Sequence, residues 1–426
     1  MQGAMRRARL AGAAALLLCS GVPAHAGDVL AFSRAEIAAI RQHGPWPPAL
    51  RSDASNRVSG NSRAAEFGAQ LFFDSRLSTT GAISCASCHV PESGWSDGRA
   101  VAVGLQETER HTKSIVNARF NRWFGWSGAS DSLWAASLRP LLDAREMGGA
   151  ERHVAALVRT QPDLVCRYRL VYGKPPPADD EALFADIGKA LAAFQESLVS
   201  SRTPFDDFRD ALVRGDYKAA ARYPVAAQRG LRLFIGAAKC NVCHLGPQFT
   251  NGEFDKTGIP VGTTGGRFDW GRYDGIKTVL ASRFNRLTPH NDARSGADTI
   301  STQHVVLNLE AYGAFKVPGL RNVALTAPYM HNGSLASLRD VIVHYSGIDA
   351  AKMHLAVPQP HAEPGEPVAQ RAADSILRPL NLSPTQIDDI VAFLETLTEK
   401  RSVLRRLAQT GVRECAKSSE FPPARE

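Results

Sequence analysis

Cys85-Ala86-Ser87-Cys88-His89 and Cys240-Asn241-Val242-Cys243-His244 repeat a single spacing, C-x-x-C-H. That spacing is the attachment signature of c-type haem: two thiols close thioether bonds to the porphyrin vinyls, and the histidine ligates iron from the proximal side. With seven cysteines and twelve histidines in 426 residues, chance supplies roughly 0.003 such motifs per chain, so two are not an accident. A thioredoxin-like C-x-x-C would sit in a βαβ pattern, which the flanking sequence lacks, and a zinc ribbon sets its pairs about 15–20 residues apart. Here about 150 residues lie between the pairs, room for a separate haem unit around each. Two covalent c-type haems are therefore expected, one on Cys85, Cys88 and His89 and one on Cys240, Cys243 and His244. His89 and His244 would hold the irons.

Outward from these motifs the chain reads as helix. Ala64, Phe67 and Leu71 recur at helical spacing just before the first motif. The run Val225 to Phe234 repeats the same approach, Gly then Leu-Phe, before the second. Helical patterns also cover Glu151 to Arg159 and Asp180 to Ser200, where Ile187, Leu191, Phe194 and Leu198 share a face. Ser383-Pro384-Thr385-Gln386 is a capping box with proline at the first helical position, feeding Ile387, Ile390, Val391, Leu394 and Leu397. Gly173 to Pro177, residues 351–372, and the Gly-, Arg- and Asp-rich stretch from Phe254 to His304 read as loops. No sustained period-two alternation is present, so the fold is expected to be mainly α: two cytochrome c-like haem domains with long irregular loops. The expected division is a signal peptide over 1–26, an N-terminal extension over 27–60 pinned by Trp46, haem units over 61–215 and 216–410, and a tail over 411–426.

The first residues carry the marks of an export signal: Arg6, Arg7 and Arg9, an apolar run from Leu10 to Leu18, and the small-x-small site Ala24-His25-Ala26. The apolar run is too short to span a bilayer. Cleavage after Ala26 would remove Cys19 and leave no membrane anchor. Export to the periplasm suits c-type haem attachment and an oxidising compartment. Cys166 and Cys415 then remain, either paired with each other or as inert buried thiols. The formal charge of +8 falls by the three leader arginines, and no basic repeat or aromatic-interleaved strip points to nucleic acid. The residual positive charge suits solubility or docking of a protein electron donor.

The motifs beyond the haem signatures resemble those of the bacterial dihaem cytochrome c peroxidase and MauG superfamily. The matching runs are Gly68 to Ser78, Trp126-Ser127-Gly128-Ala129, Arg139-Pro140, Glu146-Met147-Gly148, Phe315 to Val323, and Ala327 to Ser334, in the family's order over most of the chain. The resemblance implies a division of labour. The N-terminal haem would react with hydrogen peroxide and the C-terminal, six-coordinate haem would relay electrons. Glu146 would be the distal acid–base group, moving a proton between the oxygens of bound peroxide. Trp126 would lie between the haems as an electron relay, the motif favouring this over a plain core position among Trp123, Phe124 and Trp134.

Three departures qualify that match. Where the family often carries a glutamine ten residues before the distal glutamate, this chain has Ala136. Its Trp-Asp-Gly run reads Trp126-Ser127-Gly128. No methionine stands in residues 310–314 just before Phe315, where ordinary family members supply one, so Tyr312 is the nearest candidate for the sixth ligand of the second haem, with Met330 and His304 as alternatives. His111 or Asn117 falls near the family's inter-haem calcium ligand. The partners implied are hydrogen peroxide with a small redox protein, a cytochrome c or a cupredoxin, or else a protein substrate oxidised in MauG-like fashion. A non-enzymatic dihaem carrier is the third reading, and a homodimer is compatible with all three.

Overall fold

A computed structural model describes residues 29–260, 268–293, 296–348, 377–399 and Cys415. The leader, residues 351–372 and the tail other than Cys415 lie outside the described residues. The fold is mainly α, as expected. The helices are α1 (Arg34–Arg41), α2 (Ser62–Phe73), α3 (Cys85–Cys88), α4 (Leu133–Leu142), α5 (Glu151–Thr160), α6 (Pro162–Tyr172), α7 (Asp180–Ser197), α8 (Pro204–Arg214), α9 (Tyr217–Ala220), α10 (Val225–Ile235), α11 (Arg272–Ala281), α12 (Ile300–Gln303), α13 (Leu338–Ser346) and α14 (Pro384–Glu395). Among the described residues one short antiparallel pair is present: β1 (Phe254–Asp255) opposes β2 (Phe315–Lys316), with Phe254 facing Lys316.

The helix ends follow their sequence signals. Asn61 caps α2 by accepting the Ala64 N–H, and Asp179 caps α7. The Ser383/Gln386 capping box opens α14 with Pro384 behind it, as read from the sequence. The stretch from Phe254 to His304, expected to be irregular throughout, contains α11 and α12. In α11 only Arg272, Gly275, Ile276 and Val279 are buried, so its apolar stripe is too thin to show as a period.

Two hydrophobic cores form around two matching helix crossings. In the first, α2 crosses α7 at Gly68: a methyl there would lie 1.9 Å from the Ala190 carbonyl oxygen and 3.0 Å from Phe194 Cβ. In the second, α10 crosses α14 at Gly230, where a methyl would lie 1.9 Å from the Asp389 carbonyl oxygen and 2.9 Å from Phe393 Cβ. Leu71 and Phe72 follow Gly68 into the first core, and Phe234 holds the corresponding place in the second. Each fully buried side chain of this size contributes about 1.5–3 kcal/mol. The weak repeat seen in sequence is thus a repeated crossing, each placed directly before a C-x-x-C-H.

The second core also takes residues from outside the second half of the chain. Ile40 of α1 and Phe205, Phe208, Ala211 and Leu212 of α8 pack with Leu231, Phe234 and Phe393. Trp46 pins the lead-in, as expected: its indole N–H donates to Ser200 O at 2.9 Å and the Arg321 guanidinium lies 3.7 Å from its ring centroid. Arg321 in turn makes a buried two-pronged pair with Asp206 at 2.9 and 2.8 Å. Cys166 of α6 and Cys415 form a disulfide with Cα atoms 6.1 Å apart, which resolves the alternatives left by the sequence.

Candidate active site

Both C-x-x-C-H motifs are built alike. Each histidine closes its turn by donating a backbone N–H to the first cysteine's carbonyl, at 2.9 Å in both cases. His89 Nδ1 meets Trp95 O at 3.1 Å, and His244 Nδ1 meets Phe249 O at 2.9 Å. A carbonyl only accepts, so Nδ1 carries the hydrogen in both rings and the Nε2 lone pair is left for iron. Trp95 and Phe249 both sit at positive φ, 62° and 56°. Left-handed backbone costs a side-chain-bearing residue roughly 1–2 kcal/mol, and at both positions it turns the carbonyl onto the imidazole.

Burial, above all else, pushes both imidazoles down from their ordinary pKa, so each is neutral as a ligand must be. Burial also pushes the Cys85 and Cys240 thiols up to about 12 and Cys88 up to about 11. Such thiols are protonated and poorly nucleophilic, unlike redox or zinc cysteines. All four are free and partly buried. These thiols and neutral histidines fit two covalent c-type haems.

Glu146 sits in the turn after α4. Leu105 N–H donates to Glu146 O at 3.1 Å and Gln106 N–H to Arg145 O at 2.8 Å, while Thr79 N–H donates to Met147 O at 3.1 Å. Gly104 permits this approach, since a methyl there would lie 2.6 Å from Glu146 Cα. The carboxylate is half-buried, and its negative charge adds to the upward shift of the Cys85 and Cys88 thiols. Desolvation first, then Asp143, raises its pKa above the ordinary carboxylate value, against Arg139 and Arg145. Arg145 is spent on Asp143 and on Glu109, the latter at 2.5 Å. Glu146 thus acts electrostatically on the first motif, while Ala136 packs against the first core from α4.

At the second motif lies a cavity of about 540 Å³ lined by Cys240, Cys243, His244, Trp126, Met330 and Tyr345, among others. Trp126 N–H donates to His111 O at 2.8 Å, and Trp126 O accepts from Lys316 N at 2.8 Å. Trp123, Phe124 and Trp134 are core, each under 9 % exposed; Trp126 instead faces the cavity.

Tyr312 is not brought to this cavity. Its ring is buried against Tyr273, at 4.1 Å between centroids, and Trp270 at 5.6 Å. His304 is exposed at the end of α12. Met330, at φ 73°, does line the cavity. The sequence reading missed Tyr345. On α13, Leu338, Val341 and Tyr345 share the face that lines the cavity. Burial raises the Tyr345 hydroxyl pKa, and Cys240, Cys243 and Asp255 add to the rise; the phenol lines the same cavity as the two thiols. The Ser337/Asp340 capping box ahead of this helix, with aliphatics three and four residues before a tyrosine, was the available signal.

The residues expected near a calcium ion do not fit one. His111 Nδ1 meets Arg99 O at 2.7 Å and Nε2 faces Ser96 Oγ at 3.4 Å. Asn117 accepts from Ser200 N at 2.9 Å and donates to Ser200 Oγ at 3.0 Å. No group of three or more His, Cys, Asp or Glu side chains among the described residues suits a metal ion.

This geometry meets its relatives directly. Residues 62–215 match the family model described as di-haem cytochrome c peroxidase. The chain is 32 % identical to the methylamine utilization protein MauG of Methylorubrum extorquens over 91 % of each chain. It is 31 % identical to the cytochrome-c peroxidase IdrP1 of Denitromonas iodatirespirans, over 93 % of this chain and 94 % of that one. A solved MauG-like protein associated with microbial copper homeostasis superposes with a TM-score of 0.59 at 27 % identity, covering 86 % of this chain and 97 % of that one. The chain belongs to the di-haem cytochrome c peroxidase family, which includes MauG. It is an oxidoreductase that carries two c-type haems.

Proposed function

We propose that this protein reduces hydrogen peroxide at the first haem with electrons relayed through Trp126 from the second. The observation that carries the reading is the clamped Glu146 turn, which holds a half-buried, proton-hungry carboxylate whose charge is felt by Cys85 and Cys88. Haem iron supplies, when bound, an electrophilic seat for one peroxide oxygen and a route for two electrons. Glu146 takes the proton from that oxygen and delivers it to the other, which leaves as water. Two electrons and two further protons complete the conversion of one peroxide to two waters. His89, oriented by Trp95 O, would hold the iron, and Cys85 and Cys88 would anchor the haem covalently.

At the second site His244 would hold the iron, and Tyr345, or else Met330, would supply the second protein ligand, since all three line one cavity. The two haem units meet between Ser200 and Thr203, with residues 29–46 belonging to the second. The mature protein works in the periplasm after cleavage behind Ala26 and takes electrons from a small cytochrome c or cupredoxin. A second reading has one specific support. A phenolate ligand at the second haem favours ferric and higher oxidation states over the ferrous state a donor must reach, which suits MauG-like oxidation of a partner protein. Steady-state turnover decides between them: rapid peroxide-dependent oxidation of a reduced small cytochrome supports the peroxidase. A long-lived oxidised protein that leaves that cytochrome untouched refutes it.

A further inference from the structure

Beside Trp126 the structure places two buried amines with too little acid to match them. Lys113 Nζ lies 4.0 Å from the Trp126 ring centroid, is shielded from solvent, and has no hydrogen-bond partner among the described residues. Lys316 is 3 % exposed and donates from Nζ to Asn121 Oδ1 at 3.0 Å. Both line the cavity that holds Cys240, Cys243 and His244. No carboxylate acts on Lys113, and the one that acts on Lys316, Glu253, is paired with Arg122 at 2.8 Å. A buried ammonium is costly unless an anion meets it. The cavity therefore calls for carboxylates from whatever fills it, and haem carries two propionates.

On the haem reading above, we infer that Lys113 is a built-in cation that pairs with a carboxylate of the second haem beside Trp126, in place of a bound calcium ion between the haem sites. His111 and Asn117, the side chains that would have held calcium, are committed to Arg99, Ser96 and Ser200. A protein-borne charge needs no ion from the surroundings. It also rests on the face of the relay indole, where a positive charge opposes removal of an electron from the ring. Lys113 is thus a positioning residue for both the cofactor and Trp126.

The test uses the full-length exported holoprotein, with haem and iron counted first. A chain without two haems overturns the haem reading and this inference with it; a two-haem chain judges Lys113 alone. We expect dialysis against EGTA, and calcium added back, to leave the spectra of both haems and the second haem's midpoint potential unchanged. Lys113→Met should lower that potential, because losing a cation favours the ferric state, and Lys113→Arg should restore it. Chelator-sensitive spectra, or an unmoved potential in Lys113→Met, would overturn the inference. Should Lys113→Met fail to mature, Lys113→Gln takes its place with the same expected fall in potential, and the chelator series on the native protein still applies.

Discussion

Glu146 shows how much one side chain can owe to backbone it does not choose. In the proposed mechanism its carboxylate depends on Gly104, Leu105, Gln106 and Thr79, which hold the turn from two sides, and none of this can be read from the Glu-Met pair itself. Glu146→Gln should slow the reaction with peroxide at least about a hundredfold, the scale of a lost general base, in stopped-flow measurements. Unchanged kinetics would remove Glu146 from the mechanism. The base form is the active one and its pKa is raised, so the wild-type rate should fall as pH drops through a value above that of an ordinary glutamate, and Glu146→Gln should lose that inflection. Tyr345→Phe should change the spin state of the second haem, whereas Tyr312→Phe should not. An unaltered Tyr345→Phe spectrum would leave Met330 as the ligand. The cysteines and histidines proposed to hold the haems were legible because covalent attachment would fix their spacing. Tyr345 was not, because it comes to the same cavity as His244 from about 100 residues away through the packing of α13.

Among the elements, the two glycine crossings decide where the haem motifs sit. The sequence echo before each C-x-x-C-H was visible, yet its meaning depends on α7 and α14, which approach from far along the chain. Gly68→Ala and Gly230→Ala should each cost about 1–3 kcal/mol by overpacking, read as a lower thermal midpoint of the holoprotein. A Gly230→Ala protein as stable as wild type would contradict the close approach to Asp389. The missed helix α11 has the opposite character. Arg272 is buried in it, its guanidinium 4.2 Å from the Trp123 ring centroid and 4.1 Å from that of Phe254, so a charged residue does the packing that an apolar stripe would have announced.

For the molecule as a whole, acid should be a specific weakness of the second core and the cavity beside it. His43 is fully buried, stacked on Phe249 at 4.6 Å, and its pKa is held down at about 4, below the ordinary 6.5, by burial first. His331, stacked on Phe315 at 3.6 Å, is likewise held at about 4. A depressed histidine pKa stabilises the fold above the unfolded value, and that stability is lost as pH falls from 6.5 through about 4. Each group is worth on the order of 3 kcal/mol over that window, so the thermal midpoint should drop across it. A flat profile would mean that neither ring is buried neutral. At this scale composition and periodicity gave away a mainly α chain with two haem motifs. The recruitment of α1 and α8 to the second core stayed hidden, since it rests on long-range contacts such as Arg321 with Asp206 and Trp46. No helix among the described residues is long and apolar enough to cross a membrane.

The decisive measurement is electron paramagnetic resonance of the purified ferric holoprotein before and after one equivalent of hydrogen peroxide. Two inequivalent haems are predicted, one low-spin with two protein ligands and one open to peroxide, with the open haem's signal lost within the mixing time and its loss slowed in Glu146→Gln. Two low-spin haems that ignore peroxide would contradict a reactive haem on His89 facing Glu146.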